Sequence, residues 1–135
     1  MTRRGVYLFL GPELGEKEDA IAAFRKDIPD FTVYYAGETP VDRIAAELRN
    51  ASLFADARLV LLKDADQLKK KEDLDLLAAC LASPPADTTL ILISDEFGVS
   101  KILEKVIPPE HRRVFWELDE GRKTEWVEEF FRRDG

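Results

Sequence analysis

Apolar residues fall into two kinds of segment along this chain, and the two alternate. Val6 to Leu10, Leu59 to Leu62 and Leu90 to Ile93 are short runs of nearly unbroken hydrophobes, while other stretches repeat an apolar side chain every three or four positions. A short unbroken run suits a strand covered on both faces, and the three-to-four spacing suits the stripe of an amphipathic helix. The first pattern predicts strands over Gly5 to Gly11, Phe31 to Ala36, Leu59 to Leu62 and Thr88 to Ser94, with Arg113 to Leu118 as a fifth, amphipathic strand near a sheet edge. The second predicts a helix over Glu16 to Ile28, with Ala20, Ile21, Phe24 and Ile28 on one face. Further helices follow on Val41, Ile44, Ala45 and Leu48, on Leu74, Leu77, Ala78 and Leu81, and over Ser100 to Ile107. A last one covers Gly121 to Arg133, with Trp126, Val127, Phe130 and Phe131 on one side.

The punctuation agrees with these spans. Pro29-Asp30, Gly37-Glu38, Ser83-Pro84-Pro85 and Pro108-Pro109 interrupt the periodic segments, and Thr39-Pro40 reads as N-cap and first helical residue, with Asp42 in the first turn. Regular alternation of strand and helix with short connections predicts an α/β fold, a five-stranded, mostly parallel sheet with helices on both faces.

Composition narrows the function classes. A chain of 135 residues with 45% hydrophobic content suits one domain with one real core. No apolar run reaches membrane-span length, and the N-terminal run is short, contains Tyr7 and lacks a small-residue cleavage site, so neither a membrane span nor a signal peptide is expected. The single cysteine, Cys80, excludes an internal disulfide and supplies no metal cluster, and it reads as a small buried or half-buried hydrophobe. Cytoplasmic location is the default. A formal charge of −7 argues against non-specific nucleic-acid binding by the domain as a whole, though a local basic edge remains compatible with it. His111, the only histidine, reads as a solvated loop residue, and Lys69-Lys70-Lys71 as a wet helix start. One histidine and one cysteine do not make a nucleophilic site.

Ligands of open α/β sheets bind at the carboxyl ends of the strands. There the first loop invites comparison with a phosphate-binding loop of pattern G-x-x-x-x-G-K-[ST]. From Gly11 the chain reads G-P-E-L-G-E-K-E, so Lys17 holds the lysine position, but Glu16 replaces the second glycine and Glu18 the hydroxyl residue that ligates magnesium. Glu13, Glu16 and Glu18 would repel a triphosphate by about 1–4 kcal/mol per close pair. The acid expected directly after the third strand is also displaced: that position is Lys63, with Asp64 one residue later and Asp66 two beyond that, where a solvated loop with a helix-capping acid is the plainer reading. Asp95 stands where a nucleotide sensor would. The outline of a nucleotide site is present and its chemistry is absent. No metal or cofactor is expected, and a P-loop NTPase using Lys17 and Asp64 stands as the alternative.

A different feature precedes the third strand. Leu53 and Phe54 are large apolar neighbours between Ala51-Ser52 and Ala55-Asp56-Ala57-Arg58. In a connection that normally runs over the surface, such a pair either plugs the core or faces a partner. Two blocks, Val6-Tyr7-Leu8-Phe9-Leu10-Gly11-Pro12-Glu13 and the run from Ser52 through Arg58 and Leu59 to Asp66, resemble the N-terminal domain of the delta subunit of the bacterial DNA polymerase III clamp loader. Pro84-Pro85 ahead of Leu90 to Ile93, and Trp116-Glu117-Leu118 ahead of Trp126-Val127, fit the same pattern.

The resemblance implies an AAA+-like core of P-loop type with a degenerate nucleotide site, over residues 1–120, and a C-terminal helix over 121–135 that leads toward a further domain. It implies a non-catalytic domain that binds the sliding clamp (the beta subunit) and helps open it during DNA replication. Leu53 and Phe54 would enter an apolar pocket on the clamp, with Ser52 and Ala51 setting their approach. Other clamp-loader subunits would be met through domains this chain lacks, DNA only weakly or within the full complex, and no membrane.

Overall fold

The computed structural model describes residues 5–28, 30–50, 57–84 and 87–115. Strands β1 (Gly5–Leu10), β2 (Asp30–Tyr35), β3 (Arg58–Lys63), β4 (Thr88–Ile93) and β5 (Arg112–Val114) form one sheet in the order β2-β3-β4-β1-β5. Every neighbouring pair is parallel. Helices α1 (Leu14–Asp27), α2 (Val41–Arg49), α3 (Lys71–Ala82) and α4 (Lys101–Glu104) connect them, with 3-10 turns at Ala65–Gln67 and Pro109–His111.

The twofold alternation of strand side chains builds a core on each face. Val6, Leu8 and Leu10 of β1, Val60 and Leu62 of β3, and Leu90 and Leu92 of β4 pack with α2, α3 and α4 through Ile44, Leu48, Leu74, Leu77, Leu81 and Leu103. Phe9, Leu59, Leu61, Ile91 and Ile93 point the other way, onto Phe24 and Ile28 at the end of α1 and onto Phe115. All six residues of β4 are buried, which is why its sequence shows an unbroken run rather than alternation. Each large aliphatic side chain so buried stabilises the fold by roughly 1.5–3 kcal/mol.

Local chemistry moved several expected boundaries. Helix α1 starts at Leu14 rather than Glu16, because Glu13 becomes its N-cap. Helix α2 starts at Val41: Pro40, not Thr39, takes the cap position and makes no side-chain cap bond, while Thr39 bridges to Ala36. Helix α4 stops at Glu104, short of Ile107, and is capped by Ser100, whose Oγ accepts from the Ile102 N–H at 3.2 Å. β5 lies on the sheet edge, as expected, but begins at Arg112. The helix expected over 121–133, and the division drawn at residue 120, lie outside the described residues.

Candidate functional site

At the carboxyl ends of β1 and β4 the phosphate-loop look-alike is engaged with its own chain. Gly11 leaves β1 with φ +99 and donates its N–H to the Glu96 carbonyl at 2.7 Å. The Phe115 carbonyl accepts the Glu13 N–H at 3.2 Å, and the Phe115 N–H reaches the Leu10 carbonyl at 2.8 Å, so the end of β5 lies across the loop. The Glu13 carboxylate accepts the Glu16 N–H at 3.1 Å. A helix N-terminus is a ready anion site, and here a side chain of the loop itself supplies the anion.

Lys17 completes the closure. Its side chain is 1% exposed, and its Nζ donates to Asp95 Oδ1 at 2.7 Å and to the Ser94 carbonyl at 3.1 Å. Asp95 itself is 72% exposed, so the pair lies at the carboxyl end of the sheet with its cation inside. The network continues. Ser94 Oγ donates to Asp66 Oδ1 at 2.7 Å and accepts the Glu96 N–H at 3.0 Å. A nucleotide site needs its lysine and its helix-terminal N–H groups facing outward to phosphate. Here Lys17 is turned onto Asp95 and Ser94 and the Glu16 N–H onto Glu13, so these residues do not fit a nucleotide.

The other residues singled out by sequence divide. Asp64 is exposed in a left-handed turn at φ +58 and takes no part in the network. Asp66, expected to be a solvated capping acid, is tied to Ser94 across the strand ends instead. His111 is not a solvated loop residue either: it stacks on Tyr7 with ring centroids 4.3 Å apart, and its Nδ1 lies 2.9 Å from the Val6 carbonyl, because the turn before β5 lays it against β1. Lys69, Lys70 and Lys71 are exposed at the start of α3, as expected. Cys80 is half-buried, and burial pushes its thiol pKa up against the opposing pull of Arg49. Among the described residues no cluster of three His, Cys, Asp or Glu side chains could hold a metal, and no helix is long and apolar enough to cross a membrane.

The end of α2 and the start of β3 lie at the opposite, amino-terminal end of the sheet. Ala51, Ser52, Leu53 and Phe54 fall outside the described residues, but both flanks are described. Arg58, the first residue of β3, donates Nη1 to the Glu47 carbonyl at 3.0 Å, Nη2 to the Leu48 carbonyl, and Nε to Thr88 Oγ1 at 2.7 Å. Sequence reading included Arg58 in the Leu-Phe block and assigned it no role; its position two residues into a loop-to-strand transition was the available signal. An apolar cavity of about 220 Å³ opens between α2 and α3, lined by Leu48, Arg49, Leu76, Ala79, Cys80 and Ser83.

Tyr34 of β2 donates its hydroxyl to the Glu47 carboxylate. Burial, then that bond and the carboxylate's charge, push the Tyr34 pKa from 10.0 up to about 12, against Arg58 and Arg43. The folded chain therefore holds this proton more tightly than the unfolded one. Its contribution is complete below about pH 10 and is lost as pH rises through about 12. Urea midpoints at pH 9 and pH 11.5 are expected to fall less in Tyr34→Phe than in wild type, and equal falls would show that the hydroxyl carries no such linkage.

A family model described as DNA polymerase III, delta subunit, matches residues 7–106. No curated protein matches the chain. Among solved structures, the chain is similar to the Bacillus subtilis DNA clamp loader delta protein (YqeN), with a TM-score of 0.75 and 20% identity over 91% of this chain and 41% of that one. It is also similar to a DNA polymerase III gamma subunit-related protein from Thermotoga maritima, with a TM-score of 0.64 and 12% identity over 90% of this chain and 44% of that one. The chain thus spans less than half the length of either. At these identities the likeness establishes the fold alone, the five-stranded parallel α/β sheet with helices expected from the sequence.

Proposed function

Because the chain belongs to the DNA polymerase III delta subunit family, we propose that it is a clamp-loader subunit domain that binds the sliding clamp and helps open it without hydrolysing ATP itself. The family match over residues 7–106 carries this reading. The self-occupied phosphate loop supports its non-catalytic half, since Lys17 is turned inward onto Asp95.

Leu53 and Phe54 are the proposed contact, with Ala51 and Ser52 setting their approach. Two apolar side chains entering a pocket would contribute about 1.5–3 kcal/mol each, the pattern of a small interface with central anchors. Opening the ring requires more than binding: the domain must hold the distorted clamp interface more tightly than the closed one. Other clamp-loader subunits are further proposed partners, and DNA is met only weakly or within the full complex.

The test is a titration of the 135-residue chain with a bacterial sliding clamp. Leu53→Ala combined with Phe54→Ala is expected to weaken binding about 100-fold or more while thermal melting stays cooperative. Unchanged affinity in that double variant would remove the pair from the interface.

A further inference from the structure

We propose that the carboxyl end of the sheet, where Leu14 and Phe97 stand among carboxylates, is a docking surface for a basic, apolar-anchored segment of a protein partner. The proposal is independent of the clamp-binding reading, whose described flanks, the end of α2 and the start of β3, lie at the other end of the sheet. Leu14 follows the exit of β1 and is 59% exposed; Phe97 follows the exit of β4 and is 56% exposed. Among the described residues they are the most exposed of the large hydrophobic side chains.

One such side chain standing alone is ordinary on a protein surface. These two ride on loops bonded to each other, through the Gly11 N–H on the Glu96 carbonyl at 2.7 Å and Lys17 Nζ on Asp95 Oδ1 at 2.7 Å. Leu14 is also the first residue of α1, whose start is fixed by the Glu13 cap. Beside Phe97 opens a cleft of about 770 Å³, with Leu68, Leu74 and Val99 on its walls and Asp66 and Glu96 against one cation, Lys69, among the residues that line it. Apolar side chains presented on an ordered frame next to an open cleft suit the anchors of a protein interface.

The charge of this surface selects the partner. Residues 12–19 and 95–100 carry six carboxylates, Glu13, Glu16, Glu18, Asp19, Asp95 and Glu96, against one cation, Lys17. That cation is 1% exposed and turned onto Asp95, so what faces outward is acidic. Such a field repels phosphate-bearing surfaces, nucleic acid and anionic lipid alike. It attracts arginine, whose planar fork matches a carboxylate and whose guanidinium also stacks on an aromatic face such as that of Phe97. The chemistry that fits is therefore arginine beside large apolar side chains, the first for the carboxylates and the Phe97 ring, the second for Leu14 and the cleft.

Calorimetric titration of the 135-residue chain with a designed amphipathic peptide of leucine and arginine tests this. The peptide is expected to bind, and to bind about 10-fold or more weakly when its leucines are replaced by serine or its arginines by glutamate. Leu14→Ser combined with Phe97→Ser should weaken binding about 10-fold or more while thermal melting stays cooperative; if that variant does not fold, Leu14→Ala with Phe97→Ala takes its place. Glu96→Lys should weaken binding by a similar factor of about 10, whereas Asp27→Lys, the same charge change at the far end of α1, should stay within about 3-fold of wild type. No binding of the peptide by wild type, or unchanged binding in the folded Leu14 and Phe97 variant, would overturn the proposal. So would equal losses in Glu96→Lys and Asp27→Lys, because the overall charge of −7 would then account for the attraction. Tighter binding of duplex DNA than of the peptide would overturn the choice of partner and the proposal with it.

Discussion

Lys17→Ala is expected to destabilise the domain by about 2–4 kcal/mol and to leave its response to ATP and magnesium unchanged. The lysine holds the position that binds phosphate in a nucleotide site, yet its ammonium is buried against Asp95 and the Ser94 carbonyl. Truncation empties the space of three methylenes, worth about 0.8 kcal/mol each when buried, and takes a donor from the buried end of β4. The loss on the Asp95 side is small, because that carboxylate is 72% exposed and rehydrates. Asp95→Ala leaves the buried ammonium with the Ser94 carbonyl, whereas Asp95→Asn keeps an acceptor oxygen and should be the milder change. Lys17→Met, which restores most of the volume without the charge, should recover much of the stability lost in Lys17→Ala. Denaturant midpoints rank the four variants, and calorimetry with ATP and magnesium supplies the other half. A binding heat in wild type that disappears in Lys17→Ala would restore the nucleotide reading.

The same residue marks how far sequence alone could reach. Strand and helix order followed from the unbroken runs of β1, β3 and β4 and from the Val41, Ile44, Ala45 and Leu48 stripe, because burial on both faces or on one face writes itself into hydrophobic spacing. The outward chemistry of the first loop could be rejected from Glu16 and Glu18 standing where a glycine and a hydroxyl belong. What replaced it could not be read. Lys17 and Asp95 are 78 positions apart, and Ser94 and Asp66 are 28 apart. No local pattern pairs them; only the adjacency of β1, β4 and β3 at their carboxyl ends does. His111 failed for the same reason, since its partners Tyr7 and Val6 lie at the far end of the chain. The start of α1 was missed because Glu13 is a weak signal for an N-cap beside Ser, Thr or Asp, and only its bond to Glu16 identifies it. Arg58 was visible as part of a motif, but its three acceptors are two backbone carbonyls and a hydroxyl on other elements, which no residue pattern records.

Gly11→Ala is expected to be among the most damaging single changes in the described residues, costing about 3–5 kcal/mol, and Gly37→Ala calibrates it. Both glycines have positive φ, +99 at Gly11 and +91 at Gly37, where a β-carbon is strained whatever the surroundings. At Gly37 an added β-carbon meets nothing within 4 Å, so its cost is the backbone alone, about 1–2 kcal/mol. At Gly11 it would sit 2.1 Å from the Phe115 carbonyl oxygen and 3.0 Å from the Phe115 nitrogen, both backbone atoms. Relief requires the end of β5 to withdraw, which breaks the Phe115 N–H bond to Leu10 and the Glu13 N–H bond to Phe115. Each lost bond adds about 1 kcal/mol, and Phe115, 5% exposed, would leave its place beside Phe9. In a phosphate loop the same glycine would let backbone approach a ligand; here it lets one strand end approach another. Urea unfolding of the two variants decides between these roles without any nucleotide present. A Gly11→Ala loss no larger than that of Gly37→Ala would mean that Phe115 does not press on the loop, and the self-closed phosphate site would lose one of its walls.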